Sequence, residues 1–434
     1  MERREEEAED EKIIIRSKED VTSIDKFFEL IPLDLIHDIL LNLPAKSAAR
    51  FRCVSKLWSS ITRRPEFIRS FVTQSSTRLC LVVCVKTRDK RYFITLPQNE
   101  HPDTSYSPVD RFQIDTPGYD YSYNQPYSES VHGLMCVADC LREVEVWNPA
   151  MRQCVTLPSP DTAAGFECME GCHYSMHKSY FLGYDPVEGK YKVLCIPSRG
   201  YPDPRDPLVF TLGPQESWRV INHSSPRHFA PHWPVGHKGI CINGHVYYEA
   251  DLRFKVSDGF EVEEITMSFD VRYEKFKIIR KPAEPTIGKY FMLNYEGKLA
   301  WVCSDSQSSI RFWVLEDEEK QEWSPRNFLL PFPINPQCYP TWEDVDLTLE
   351  GVTPDTGEFI FVDAGLNEIY VLYYDPKRNR TRRVEYEGIA GNKEFWEAND
   401  SISYRDTVIN VYPNHRESLM SLDNVPRYVS VNGD

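Results

Sequence analysis

Apolar residues first fall into a clear rhythm near the N-terminal end of the chain. From Leu33 onward, Leu35, Ile36, Ile39, Leu40 and Leu43 recur at helical spacing, while Asp34, His37, Asp38 and Asn42 take the intervening positions. The pattern predicts a short amphipathic helix with firm ends. Pro32 suits the first turn, where its missing N–H costs nothing, Asp34 favours the positive end of the helix dipole, and Pro44 stops propagation. A second run follows in which Phe51, Val54, Trp58 and Ile61 keep helical spacing with Arg50, Arg52 and Lys56 between them. Two or three short helices packed at an angle would bury one another's stripes, with Arg63 to Ser75 completing the unit. A unit of about thirty residues buries too little surface to offset its ordering entropy, so another domain or another protein must complete it.

From Leu79 the rhythm changes to short runs rich in Val, Ile, Tyr, Phe and Trp, which read as strands. One unit recurs. Glu143 to Trp147 alternates and ends in the turn Asn148-Pro149; Phe181 to Pro186 leads through Val187-Glu188-Gly189-Lys190 into Tyr191 to Ile196. Gly239 to Ile242 is joined to His245 to Tyr248 by Asn243-Gly244, the strongest short hairpin signal. Later copies are Tyr290 to Leu293 with Leu299 to Cys303, Ile310 to Leu315, Glu358 to Val362, and Ile369 to Tyr374 with Asp375-Pro376. Strand-only units that return every few tens of residues, each too small to bury its own faces, predict a β-propeller over residues 79–412; an irregular β-sandwich pair is the alternative. The fold class expected is therefore α+β and multidomain, a small all-α module at 25–75 followed by an all-β domain. Residues 1–24, dense in Glu, Arg and Lys, read as a disordered charged tail, and 413–434 as a C-terminal tail.

The helical segment closely resembles an F-box. The residues that carry the likeness are Ile31-Pro32, Asp34-Leu35-Ile36, Ile39-Leu40, Leu43-Pro44, Lys46-Ser47 and Arg50 to Lys56 closed by Trp58. Ile31 stands where Leu is usual, Asp38 where Glu is usual, and Ala48-Ala49 thin an apolar stretch, which bears on affinity. The β region, through Val146-Trp147-Asn148-Pro149, Tyr184-Asp185-Pro186, Gln215 to Arg219 and Ser268-Phe269-Asp270, resembles the kelch-like F-box-associated interaction domain of plant F-box proteins. Together these resemblances imply the substrate-recognition subunit of a Skp-cullin-F-box ubiquitin ligase, working in the nucleus and/or cytoplasm. The partners implied are a Skp-type linker, through it a cullin, and an unknown target protein on the β domain. Ile31, Pro32, Leu35, Ile36, Ile39, Leu40, Leu43, Val54 and Trp58 are the implied docking surface or its immediate support. A non-degradative scaffold and a propeller enzyme are the competing readings.

Composition narrows the rest. A formal charge of -16 argues against the basic surface that phosphate backbones demand, so no nucleic-acid partner is expected. No run of about 18 apolar residues exists, and the N-terminus MERREEEAEDEK is charged where a secretory signal needs an apolar core, so neither membrane insertion nor secretion is expected. The twelve cysteines are then expected as reduced thiols. Cys168, Cys172, His173 and His177 offer the donors of a tetrahedral zinc site, yet adjacent Cys172 and His173 would point opposite ways in a strand, so no metal and no cofactor is expected. Cys136 and Cys140 read as buried strand thiols. No phosphate loop, nucleophile elbow or metalloprotease helix appears, and no converging Tyr, Cys and His set for a copper oxidase, so the chain reads as non-catalytic. Aromatic clusters at Tyr119, Tyr121, Tyr123 and Tyr127, and at His228, His232 and Trp233, suit either blade packing or a recognition face.

Overall fold

The computed structural model describes residues 31–86, 90–98, 110–115, 128–138, 144–160, 178–197, 206–221, 227–231, 239–256, 259–282, 291–306, 308–334, 347–364, 369–386 and 408–427. Its N-terminal part is helical: α1 (Leu33–Asn42), α2 (Ala45–Arg50), a 3-10 turn (Phe51–Cys53), α3 (Lys56–Thr62) and α4 (Pro65–Gln74). Prolines punctuate it. Pro32 and Pro44 stand immediately before α1 and α2 in extended conformations, and Pro65 opens α4. The run from Phe51 to Ile61, which keeps helical spacing throughout, is divided between two elements. Ser55 adopts an extended conformation and its Oγ accepts from Trp58 N at 3.2 Å, so a serine cap starts a new helix in mid-pattern. Among the described residues no helix is long and apolar enough to cross a membrane.

Six antiparallel sheets follow in a ring, a six-bladed β-propeller rather than a pair of sandwiches. The first blade takes β1 (Cys80–Lys86), β2 (Lys90–Pro97) and β3 (Asp110–Asp115), and its inner strand is β24 (Val408–His415), the last strand among the described residues. The second holds β4 (Met135–Ala138), β5 (Val144–Asn148) and β6 (Gln153–Thr156). The third holds β7 (Lys178–Asp185), β8 (Lys190–Pro197), β9 (Leu208–Thr211) and β10 (Arg219–Val220). The fourth splits its inner strand into β11 (His228–Phe229) and β12 (Ile240–Ile242), both paired with β13 (His245–Val256), beyond which lie β14 (Gly259–Asp270) and β15 (Lys275–Ile279). The fifth runs β16 (Phe291–Tyr295), β17 (Lys298–Ser306), β18 (Ser309–Asp317), β19 (Glu322–Leu329); the sixth β20 (Thr348–Val352), β21 (Phe359–Ala364), β22 (Ile369–Asp375), β23 (Arg380–Glu385).

Strand alternation builds the ring. Along β1, Leu81, Val83 and Val85 join Ile360, Val362, Val371 and Tyr373 of the sixth blade, whereas Val82 and Cys84 join Met135, Val137 and Trp147 of the second. Both faces of a blade are thus buried, which explains its near-continuous apolar runs. The register Val82↔Tyr412, Val83↔Val411 and Cys84↔Asn410 fastens first strand to last.

One turn is used repeatedly at the helical side of the ring. Asp185, Asp270, Asp317 and Asp375 each accept, through Oδ1, the backbone N–H groups two and three residues on, and Asn148 accepts from Met151. The residue four places on then has positive φ: Arg152, Gly189, Glu274, Gln321 and Asn379, at 50° to 70°. The motifs Asn148-Pro149, Asp185-Pro186 and Phe269-Asp270 are therefore turn chemistry, and the irregular spacing between copies comes from connections of unequal length.

Candidate docking surface

The apolar stripe of α1 divides in two. Ile36 and Leu40, one helical turn apart, are fully buried, whereas Leu33, Leu35 and Ile39 remain 60%, 53% and 44% exposed. Val54, following the 3-10 turn, is 40% exposed. Of the residues expected for docking, Pro32, Leu35, Ile39 and Val54 lie open, Ile31 and Leu43 are half-buried, and Ile36, Leu40 and Trp58 are interior supports. Periodicity had not singled out Leu33 as a surface residue, although it begins the stripe. Four large aliphatic side chains left open on so small a module are unusual for a surface with no partner.

Beneath them a single core holds the helices together. Ile36, Leu40, Ala45, Ala48, Trp58, Ile61, Phe67 and Phe71 cluster, with His37 edge-on to Phe67 at 5.0 Å and Phe51 tilted on Trp58 at 4.7 Å. Arg78 donates to the carbonyls of Leu41 and Leu43 at 3.2 and 3.1 Å, satisfying acceptors that the end of α1 would leave open.

This core is completed from elsewhere in the chain. Leu419, fully buried, belongs to it, and Ala150 and Met151 of the β5–β6 turn pack against it. Residues from 413, expected as a tail, instead supply the end of β24 and then a strap wedged between helices and propeller. Glu417 accepts from Ala45 N at 3.2 Å and its own N–H donates to Ser75 Oγ at 2.6 Å. Arg52 donates to the carbonyls of Leu419 and Thr62 at 3.0 and 3.2 Å, and burial lowers its pKa from the usual guanidinium value. On the propeller side, buried Asn148 donates to the carbonyls of Ser418 and Met420 at 3.1 and 2.8 Å, while Gln153 accepts from Leu422 N and donates to Asp423. Gly133, at φ 89°, brings its Cα so close that an added Cβ would meet Ser418 Cβ at 2.6 Å.

Two histidines sit at this junction. His415, fully buried with Nδ1 2.7 Å from Ser130 Oγ, has its pKa lowered to about 4 by burial; His132 is lowered to about 4 by burial and by Arg416.

The opposite face of the ring differs. The β7–β8 turn meets α4, where Arg69 donates to the Glu188 carbonyl at 3.4 Å, and the β12–β13 turn abuts Pro186, so the far end of the β13–β14 hairpin points away from the helices. Its strands are twelve residues each and stay paired out to Val256↔Gly259, past the last pairs made with β11 and β15. Glu261, Val262 and Glu264 are exposed there.

Elsewhere the candidates for chemistry are buried in packing or lie outside the described residues. His228 is buried against Phe276 with its Nε2 2.6 Å from Tyr248 Oη, a packing role, and Cys136 is a buried thiol of the core beneath the second and third blades. Cys168, Cys172, His173, His177, Cys140, Tyr119, Tyr121, Tyr123, Tyr127, His232 and Trp233 lie outside the described residues. Among the described residues no three His, Cys, Asp or Glu side chains converge as a metal ion would need, and the described cysteines are free thiols.

Comparison with known proteins gives this arrangement a family. Residues 28–70 match the F-box domain, and residues 80–415 match the F-box associated beta propeller domain. The chain belongs to the F-box proteins with an associated β-propeller. A putative F-box protein of Arabidopsis thaliana is 58% identical, covering 94% of each chain; a second is 42% identical over 90% of this chain and 94% of its own. The F-box protein DOR of Arabidopsis thaliana is 34% identical over 87% and 93%. In this F-box protein the propeller match runs from the first residue of β1 to the last of β24, and the strap lies beyond both matched regions.

Proposed function

We propose that this chain is the substrate-recognition subunit of a Skp-cullin-F-box ubiquitin ligase. The exposed row Leu33, Leu35, Ile39 and Val54 on an otherwise well-packed helical module carries the reading. An amphipathic helix seated in a groove draws its affinity from a few such anchors, and a Skp-type linker supplies the groove. The linker brings a cullin, and the propeller face turned away from the helices holds the target. The chain itself performs no bond chemistry. Its contribution is effective concentration, since tethering target and activated ubiquitin in one assembly replaces a rare encounter by a frequent one. The nucleus and/or cytoplasm is the compartment assigned to that work.

Co-purification with a Skp-type linker tests the reading. Replacing Leu35 and Ile39 together by Asp abolishes the interaction while thermal unfolding stays unchanged. Ile36 is unsuitable for this purpose because a buried aspartate there would unfold the module itself. Retained binding in the double variant refutes the assigned surface. A complex that contains the linker but neither cullin nor ubiquitinated target favours the scaffold instead.

A further inference from the structure

The docking helices do not own a complete core. Leu419, more than three hundred residues downstream of α1, is fully buried among Ile36, Leu40, Trp58 and Phe71, and Arg52 and Glu417 tie the strap to α2, α3 and the end of the helical module. The other side of the same strap is anchored on the second blade through Asn148 and Gln153, with Leu422 and Val425 in the blade core. We propose that residues 416–422 are a working part of the linker-docking module: they pre-order its helices, so that affinity for the linker depends on side chains that never touch it. This rests on the reading of the helices as the linker site.

The physical basis is a population. A module too small to fold alone is ordered only for a fraction of the time, and its apparent affinity falls in proportion to that fraction. Leu419 and the strap hydrogen bonds raise the fraction by filling the core before the linker arrives. Leu419 lies on the buried side of α1, with Ile36 and Leu40, whereas the proposed docking side chains Leu35 and Ile39 lie on the open side. Removing it therefore acts through order and not through lost contact. Leu419, Glu417 and Arg52 are accordingly positioning residues.

The test uses the full-length protein and its Leu419→Ala and Leu419→Met variants, each titrated with a purified Skp-type linker, with amide hydrogen exchange followed in the free chain. In the Leu419→Ala variant, affinity drops by about tenfold or more, protection falls across 33–74, and β1, β17 and β21 keep theirs. Leu419→Met, which refills the site, keeps both protection and affinity near those of the unaltered chain. Unchanged protection and affinity in Leu419→Ala overturns the proposal. Loss of protection in the blades as well would overturn it too, since the strap would then serve the whole fold. Failure of the unaltered chain to bind any Skp-type linker sinks the functional reading, while the exchange pattern still decides whether the strap orders the helices.

Discussion

The propeller and the helical module achieve order by opposite routes. In the propeller each blade is buried on both faces by its neighbours, so β1 alone contributes to two cores, and the ring is closed by pairing β1 with β24. The helical module has one core, closed by Leu419 and by Ala150 and Met151 from outside it. A region stabilised by redundant contacts can carry a variable surface. A region completed by borrowed residues depends for its order on the segments that lend them.

That contrast can be broken by experiment. Trp147→Ala, which empties the fully buried indole site between the first two blades, is expected to cost about 3–5 kcal/mol and to lower the melting temperature of the whole propeller. Leu40→Ala should cost about 2–5 kcal/mol, yet hydrogen exchange should report it in residues 33–74 and leave the blades protected. A single cooperative loss across both regions would show that they are one unit.

Acid should strike the junction between them. His132 and His415 have folded pKa values near 4, below the 6.5 expected unfolded, so the unfolded chain binds protons more readily. Their contribution is complete above about pH 6.5 and is lost as the pH falls to about 4, on the order of 3 kcal/mol for each. Thermal melts from pH 7 to 4.5 should therefore fall more steeply in the parent than in a His132→Asn, His415→Gln variant; equal slopes would contradict the assignment. Ser55→Ala removes the cap of α3 and should cost about 1 kcal/mol, read as a lower helical melting point. The smallest stability effect, within about 0.5 kcal/mol, belongs to Leu35→Asp with Ile39→Asp, because both side chains already face water.

Much of this organisation was legible in the chain and some was not, for identifiable reasons. The helical module, its proline boundaries and the strand-only repeat follow from local pattern. Asn243-Gly244 is a two-residue turn with φ values of 49° and 88°, as the dipeptide demands. Periodicity could not decide which α1 residues face out, since Leu35 and Ile39 keep the same four-residue spacing as Ile36 and Leu40. A helix with apolar side chains on two adjacent stripes presents one pattern and two destinations. The strap was missed because Leu419, Leu422 and Val425 sit in a short segment without strand or helix regularity, and their value lies wholly in distant partners. The serine cap was hidden inside an otherwise continuous helical spacing.

The pairing of β1 with β24 leaves the strap to emerge beside the helices, and it is made after all six blades. A ribosome therefore releases the F-box helices long before it supplies the leucine that closes their core. Closure of the helical core thus waits on residues translated after the whole ring, and a message cut short upstream of that leucine leaves the F-box helices with an unfilled interior.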